Sequence, residues 1–107
     1  MANFPDRWVV VELSLNGESS KKVLAGWYGG YLNGDSWKLS SGITQVTKED
    51  DKVFHFDNAS GSRYTCQKGA FGMSGLMLGV YSSYEKQLTD AGGTMRVLTE
   101  EEIEALV

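Results

Sequence analysis

Two hydrophobic periods share this chain, and the change from one to the other constrains the fold more than any motif. Up to about residue 67, apolar and polar residues alternate in short runs broken by Asn, Gly, Asp and Ser. Alternation places every second side chain on one face of a strand. From Met73 the spacing becomes three and four, through Met77, Val80, Tyr81, Tyr84, Leu88 and Ala91. On a helical wheel these residues share one arc, and Ser82, Ser83, Glu85, Lys86, Gln87, Thr89 and Asp90 occupy the rest. Strands followed by a helix define an α+β protein. We expect a mainly antiparallel twisted sheet of about six or seven strands, with a long helix over about 75–91 packed on one face. A short C-terminal helix over about 100–107 follows, and the whole chain, 1–107, reads as a single domain.

Residues 8–15 read as the first strand. Val9, Val11, Leu13 and Leu15 share a face, while Trp8 and Val10 make the other face partly apolar, which suits a central strand. Asn16-Gly17 is a strong hairpin signal, so a second strand over about 22–28 returns beside the first. A three-residue loop, 16–18, sets Val11 against Val23 and Val9 against Ala25. A two-residue loop sets Val11 against Lys22. The first keeps apolar residues together, so we expect a three-residue loop with a bulge. Further strands are expected over 31–39, interrupted at Asn33-Gly34-Asp35, and over 43–47, 52–57 and 63–67. Pairing Phe56 with Tyr64 also pairs Phe54 with Cys66 and Asp57 with Arg63. One register thus yields both an aromatic ladder and an ion pair.

The helix starts at Ser74 as N-cap and stops at Gly92. A last strand over 94–98 leads to Thr99, a second N-cap. Glu102 completes a capping box there, and Leu98 and Ile103 are spaced for a hydrophobic staple.

Charge narrows the range of partners. Fourteen Asp and Glu outweigh ten Lys and Arg, for a net charge of −4. Duplex binding draws its affinity from neutralised phosphates, so the balance argues against nucleic acid and toward a partner with a basic patch. The first residues lack the basic and apolar parts of a signal peptide, and no run approaches the roughly 18 apolar residues of a membrane span. Cys66 is the single cysteine, which excludes an intramolecular disulfide. A cytoplasmic location without membrane contact is the expectation.

Catalytic and metal chemistry find little support. Cys66 and His55 are the only residues of their kinds, and the register above sends them to opposite sheet faces, so a thiol–imidazole dyad cannot form. One Cys and one His fall short of a zinc site, and Glu49-Asp50-Asp51 lacks the alternation of an EF-hand loop. Gly72-Met73-Ser74-Gly75-Leu76 has leucine where a serine nucleophile elbow needs glycine. We expect a non-catalytic chain without cofactor or metal.

Two stretches remain. The first, residues 26–37, holds four aromatic residues and four glycines among twelve. Trp27, Tyr28, Tyr31, Asn33, Asp35 and Trp37 combine aromatic anchors with small polar neighbours, the chemistry of a protein-binding surface. The second, Lys68 to Gly75, runs from a strand into a helix start. There Lys68, Gly69, Gly72, Ser74 and Gly75 would offer an anion or nucleotide a cation and free N–H groups. The leading expectation is a small binding or regulatory protein that uses the first stretch. The alternatives are a small-molecule or anion/nucleotide-binding domain, or an enzyme, built on the second, or homo-oligomerisation through the aromatic patch.

Overall fold

A computed structural model describes residues 2–29 and 34–107. In chain order its strands are β1 (Ala2–Asn3), β2 (Arg7–Leu15), β3 (Glu18–Trp27), β4 (Ser36–Leu39), β5 (Ile43–Glu49), β6 (Val53–Asn58) and β7 (Arg63–Gln67). Helix α1 (Gly75–Asp90), strand β8 (Thr94–Val97) and helix α2 (Glu100–Glu104) complete the chain. This is the expected α+β architecture, with one long helix and a short terminal one. The strands divide between two sheets. Sheet I has the order β1-β7-β6-β5 and sheet II the order β4-β3-β2-β8. Among the described residues these strands pair antiparallel except for the two-residue match of β1 with β7, and Trp8 forms an isolated parallel bridge with Phe71.

The β2–β3 hairpin corrects the expected register. Asn16 and Gly17 take φ of 55° and 80°, and Leu15 pairs with Glu18, so the loop has two residues. Positive φ at both central positions is the type I′ geometry that Asn-Gly favours. Val11 therefore faces Lys22, Val10 faces Val23 and Val9 faces Leu24. The three-residue loop was chosen to protect one apolar face, but sheet II is buried on both. Trp8, Val10, Val23 and Ala25 meet Val46, Phe54, Phe56, Tyr64 and Cys66 of sheet I in one core. Val9, Val11 and Leu24 meet Met77 and Met95 in a second core beneath α1. The molecule is thus layered as sheet I, sheet II and α1. Near-continuous apolar runs such as Val9-Val10-Val11 are what a two-sided strand needs.

Trp8 anchors the core between the sheets. It is fully buried, its ring lies 5.1–5.9 Å from those of Phe54, Phe56 and Phe71, and its indole N–H donates to the Gln67 carbonyl at 2.7 Å. A buried indole needs such an acceptor. In sheet I the expected register holds, with Phe54 opposite Cys66, His55 opposite Thr65, Phe56 opposite Tyr64 and Asp57 opposite Arg63.

Ser74 caps α1, its hydroxyl accepting from the Met77 N–H at 3.3 Å. At the other end Gly92 has φ of 87°; its N–H donates to the Thr89 carbonyl and that of Gly93 to Leu88. This pair of hydrogen bonds is a Schellman termination. Met77 is fully buried, and Val80, Tyr81, Tyr84 and Leu88 pack partly buried against sheet II. Ala91, expected on the apolar arc, is the exposed C-cap. Thr99 and Glu102 form the reciprocal capping box of α2, while Leu98 and Ile103 plug the end of the inter-sheet core. Among the described residues no helix is long and apolar enough to cross a membrane.

Candidate functional site

β4 is one of the two outer strands of sheet II, and the chain entering it carries the aromatic stretch. Opposite residues of a strand pair share a face. Trp37 lies opposite Gly26 and projects on the α1 side, where its ring meets that of Tyr84 edge to face at 6.0 Å. Trp27 lies opposite Ser36 and projects on the other side, at the margin of the inter-sheet core. The two tryptophans therefore occupy opposite faces of sheet II, although both are odd-numbered. The β3–β4 register pairs odd-numbered with even-numbered residues, so two odd-numbered residues on these strands fall on opposite faces.

Hydrogen bonds hold the approach to this edge. The Trp27 indole donates to the Phe4 carbonyl at 2.9 Å. The Tyr28 N–H donates to Asp6 and the Gly29 N–H to Asp35, each at 2.9 Å. Asp35 and Asp6 thus serve as backbone acceptors where the strand has ended. The Tyr28 and Phe4 rings project outward, 57% and 66% exposed, while Trp37, packed on Tyr84, keeps 37% of its surface exposed. Lys38 extends beside Trp27, with its ammonium 5.9 Å from the ring centroid and 3.5 Å from Asn3 Oδ1. Tyr31 and Asn33, the remaining members of the expected surface, lie outside the described residues. Phe4 and Lys38 join this surface without having been singled out in the sequence. Phe4 lies 23 residues from Trp27, and no periodic signal links them.

The second stretch is split by the fold. Lys68 opens a 3-10 turn, Lys68–Ala70, and its ammonium pairs with Glu104 of α2 and lies 5.2 Å from the Phe54 ring centroid. Lys48 holds the other Glu104 oxygen at 2.8 Å. Both lysines hold the Glu104 carboxyl below its usual range. Gly69 is exposed. Gly72, at φ of 137°, donates its N–H to the Trp8 carbonyl at 2.8 Å, and a side chain there would meet the Arg7 guanidinium. Ser74 serves as cap and Gly75 is the first helical residue. Lys68 is therefore committed to α2, and the Gly72 and Met77 N–H groups already have acceptors.

Cys66 points into the inter-sheet core with no exposure, and burial pushes its thiol well above the ordinary range. His55 points outward from sheet I, with Nε2 2.8 Å from Glu49 Oε1 and Nδ1 3.0 Å from Thr65 Oγ1. This carboxylate–imidazole–hydroxyl chain has the order of groups used to activate a hydroxyl. Thr65 lies opposite His55 in the β6–β7 ladder, one residue past the two-residue match of β1 with Arg63 and Tyr64. Among the described residues no group of three His, Cys, Asp or Glu side chains is placed to hold a metal ion.

No known protein family matches the chain, and neither curated proteins nor solved structures offer a significant match.

Proposed function

We propose that this chain is a small non-catalytic binding module that docks a protein partner on the surface around β4. One observation carries the reading: β4 is an outermost strand with exposed aromatic side chains at its approach and on its length, Tyr28 at 57% and Trp37 at 37%. Aromatic anchors with nearby polar groups dominate binding energy at protein interfaces. Asp6 and Asp35 support the backbone that presents Tyr28, so the anchor is positioned before a partner arrives.

Independent binders selected from a displayed library against the folded domain test this reading. They should converge on this surface. Tyr28→Ala or Trp37→Ala should weaken them by about 2 kcal/mol or more, the hot-spot scale. Arg63→Ala, on the outer face of sheet I, should leave them unchanged. Binders that ignore both aromatic truncations would overturn the assignment.

A further inference from the structure

Resting on that reading, we propose that the partner adds an extended segment to the outer edge of β4, and that this segment carries a carboxylate opposite Lys38 with an apolar side chain two positions away. The backbone geometry comes first. Ser40 N–H donates to the Val23 carbonyl at 2.8 Å, continuing the β3–β4 ladder. Antiparallel pairs alternate between bonded and non-bonded. Counting back along the register, Lys38 with Ala25 and Ser36 with Trp27 are bonded pairs, and Leu39 with Leu24 and Trp37 with Gly26 are not. The N–H and C=O groups of Trp37 and Leu39 therefore point away from β3. Among the described residues no strand lies beyond them. An extended peptide can satisfy all four groups by strand addition.

Side chains then set the chemistry. Ser36 and Lys38 share one face and line a depression with Asn3, Phe4 and Trp27. Lys38 takes part in none of the ion pairs among the described residues. Its polar neighbour is Asn3, at the limit of hydrogen bonding. A residue opposite Lys38 on an added strand lies on the same face, where a carboxylate pairs with the ammonium. The residue opposite Ser36 lies over Phe4 and Trp27, which suits an apolar side chain. The acidic net charge acts at long range, whereas this cross-strand contact is local. A second copy of the chain fits poorly. Self-pairing that uses both outward residues sets Trp37 against the second copy's Leu39, and so sets Lys38 against Lys38. Lysine on an edge is a common device against such pairing.

The test is an NMR titration of the whole chain with the capped peptide Val-Thr-Glu-Thr-Val-Thr and its Lys-for-Glu analogue. The sequence is symmetric enough to bind in either direction. The expected result is shifts at the Trp37 and Leu39 amides, with about two- to fivefold tighter binding of the Glu peptide, from the usual size of a cross-strand charge pair. Lys38→Glu should reverse the preference. Equal binding of both peptides at Trp37 and Leu39 would overturn the carboxylate assignment and leave the docking surface standing. Absence of shifts at β4 with either peptide would overturn strand addition, and the aromatic truncations described above would then judge the surface separately. Concentration-dependent broadening at Trp37 and Leu39 without peptide, with a dimer mass, would make the occupant a second copy and overturn the proposal.

Discussion

The Met77 thioether fills the space that a side chain at residue 26 would need. A Cβ built on Gly26 would stand 2.5 Å from Met77 Sδ and 2.9 Å from Cγ. Met77 is fully buried, so it has little room to withdraw. This glycine opens the aromatic stretch, and its role is close approach between sheet and helix. Gly26→Ala should cost about 1–3 kcal/mol, the usual range for overpacking a core. Met77→Ala should cost about 2–5 kcal/mol alone, and the double variant should cost less than the sum. Denaturant unfolding of the four proteins measures the coupling. Strict additivity would show that Met77 moves aside freely.

Gly17→Ala tests the two-residue hairpin. Gly17 sits at φ of 80°, where a Cβ costs about 1–2 kcal/mol. Nothing lies within 4 Å of that Cβ, so the loss is one of backbone conformation alone. A melting temperature equal to that of the parent would point back to the three-residue loop.

Cys66 should resist modification in the folded protein. Its thiol is buried and held protonated, and the thiolate is the reactive form. Ellman's reagent at neutral pH should report a rate limited by opening of the core. Rapid labelling under native conditions would refute the burial. Cys66→Ser should lower stability, because a hydroxyl replaces a packed sulfur in an apolar core.

Glu102 should shape the acid limb of stability. Arg96 foremost, then the Thr99 N–H, hold its carboxyl at about 2, against an ordinary 4.5. A depressed carboxyl stabilises the fold above its unfolded value, and that contribution disappears as pH falls through the folded one. Glu102→Gln should therefore lower the melting temperature at pH 7, and the gap to the parent should close between pH 4.5 and about 2. A gap independent of pH would assign the loss to packing or capping.

Much of the fold was legible locally. The helix period persisted from Met73 to Leu88, and Ser74 and Gly92 mark its ends in both sequence and structure. The β6–β7 register was readable because one alignment satisfied an aromatic ladder and the Asp57–Arg63 pair together. The β2–β3 register was not legible from one strand face, because β2 and β3 bury both. Strand β1 left no signal, since two residues beside β7 carry no period of their own. The aromatic stretch was legible as four rings within twelve residues. It did not show that Trp27 and Trp37 part company, because that follows from the β3–β4 register, which pairs odd-numbered with even-numbered residues.

By itself, then, the sequence determined what local chemistry decides: the two helices with the caps that bound them, most of the strands, and that Cys66 and His55 face opposite sides of one hairpin. Only the tertiary structure decided how the strands divide into two sheets, which strands lie outermost, and that Lys68 serves α2. Those outcomes depend on contacts between residues far apart in the chain. The energy of such contacts comes from burying both faces of β2 and β3 at once, and no single window of sequence contains the partners for both.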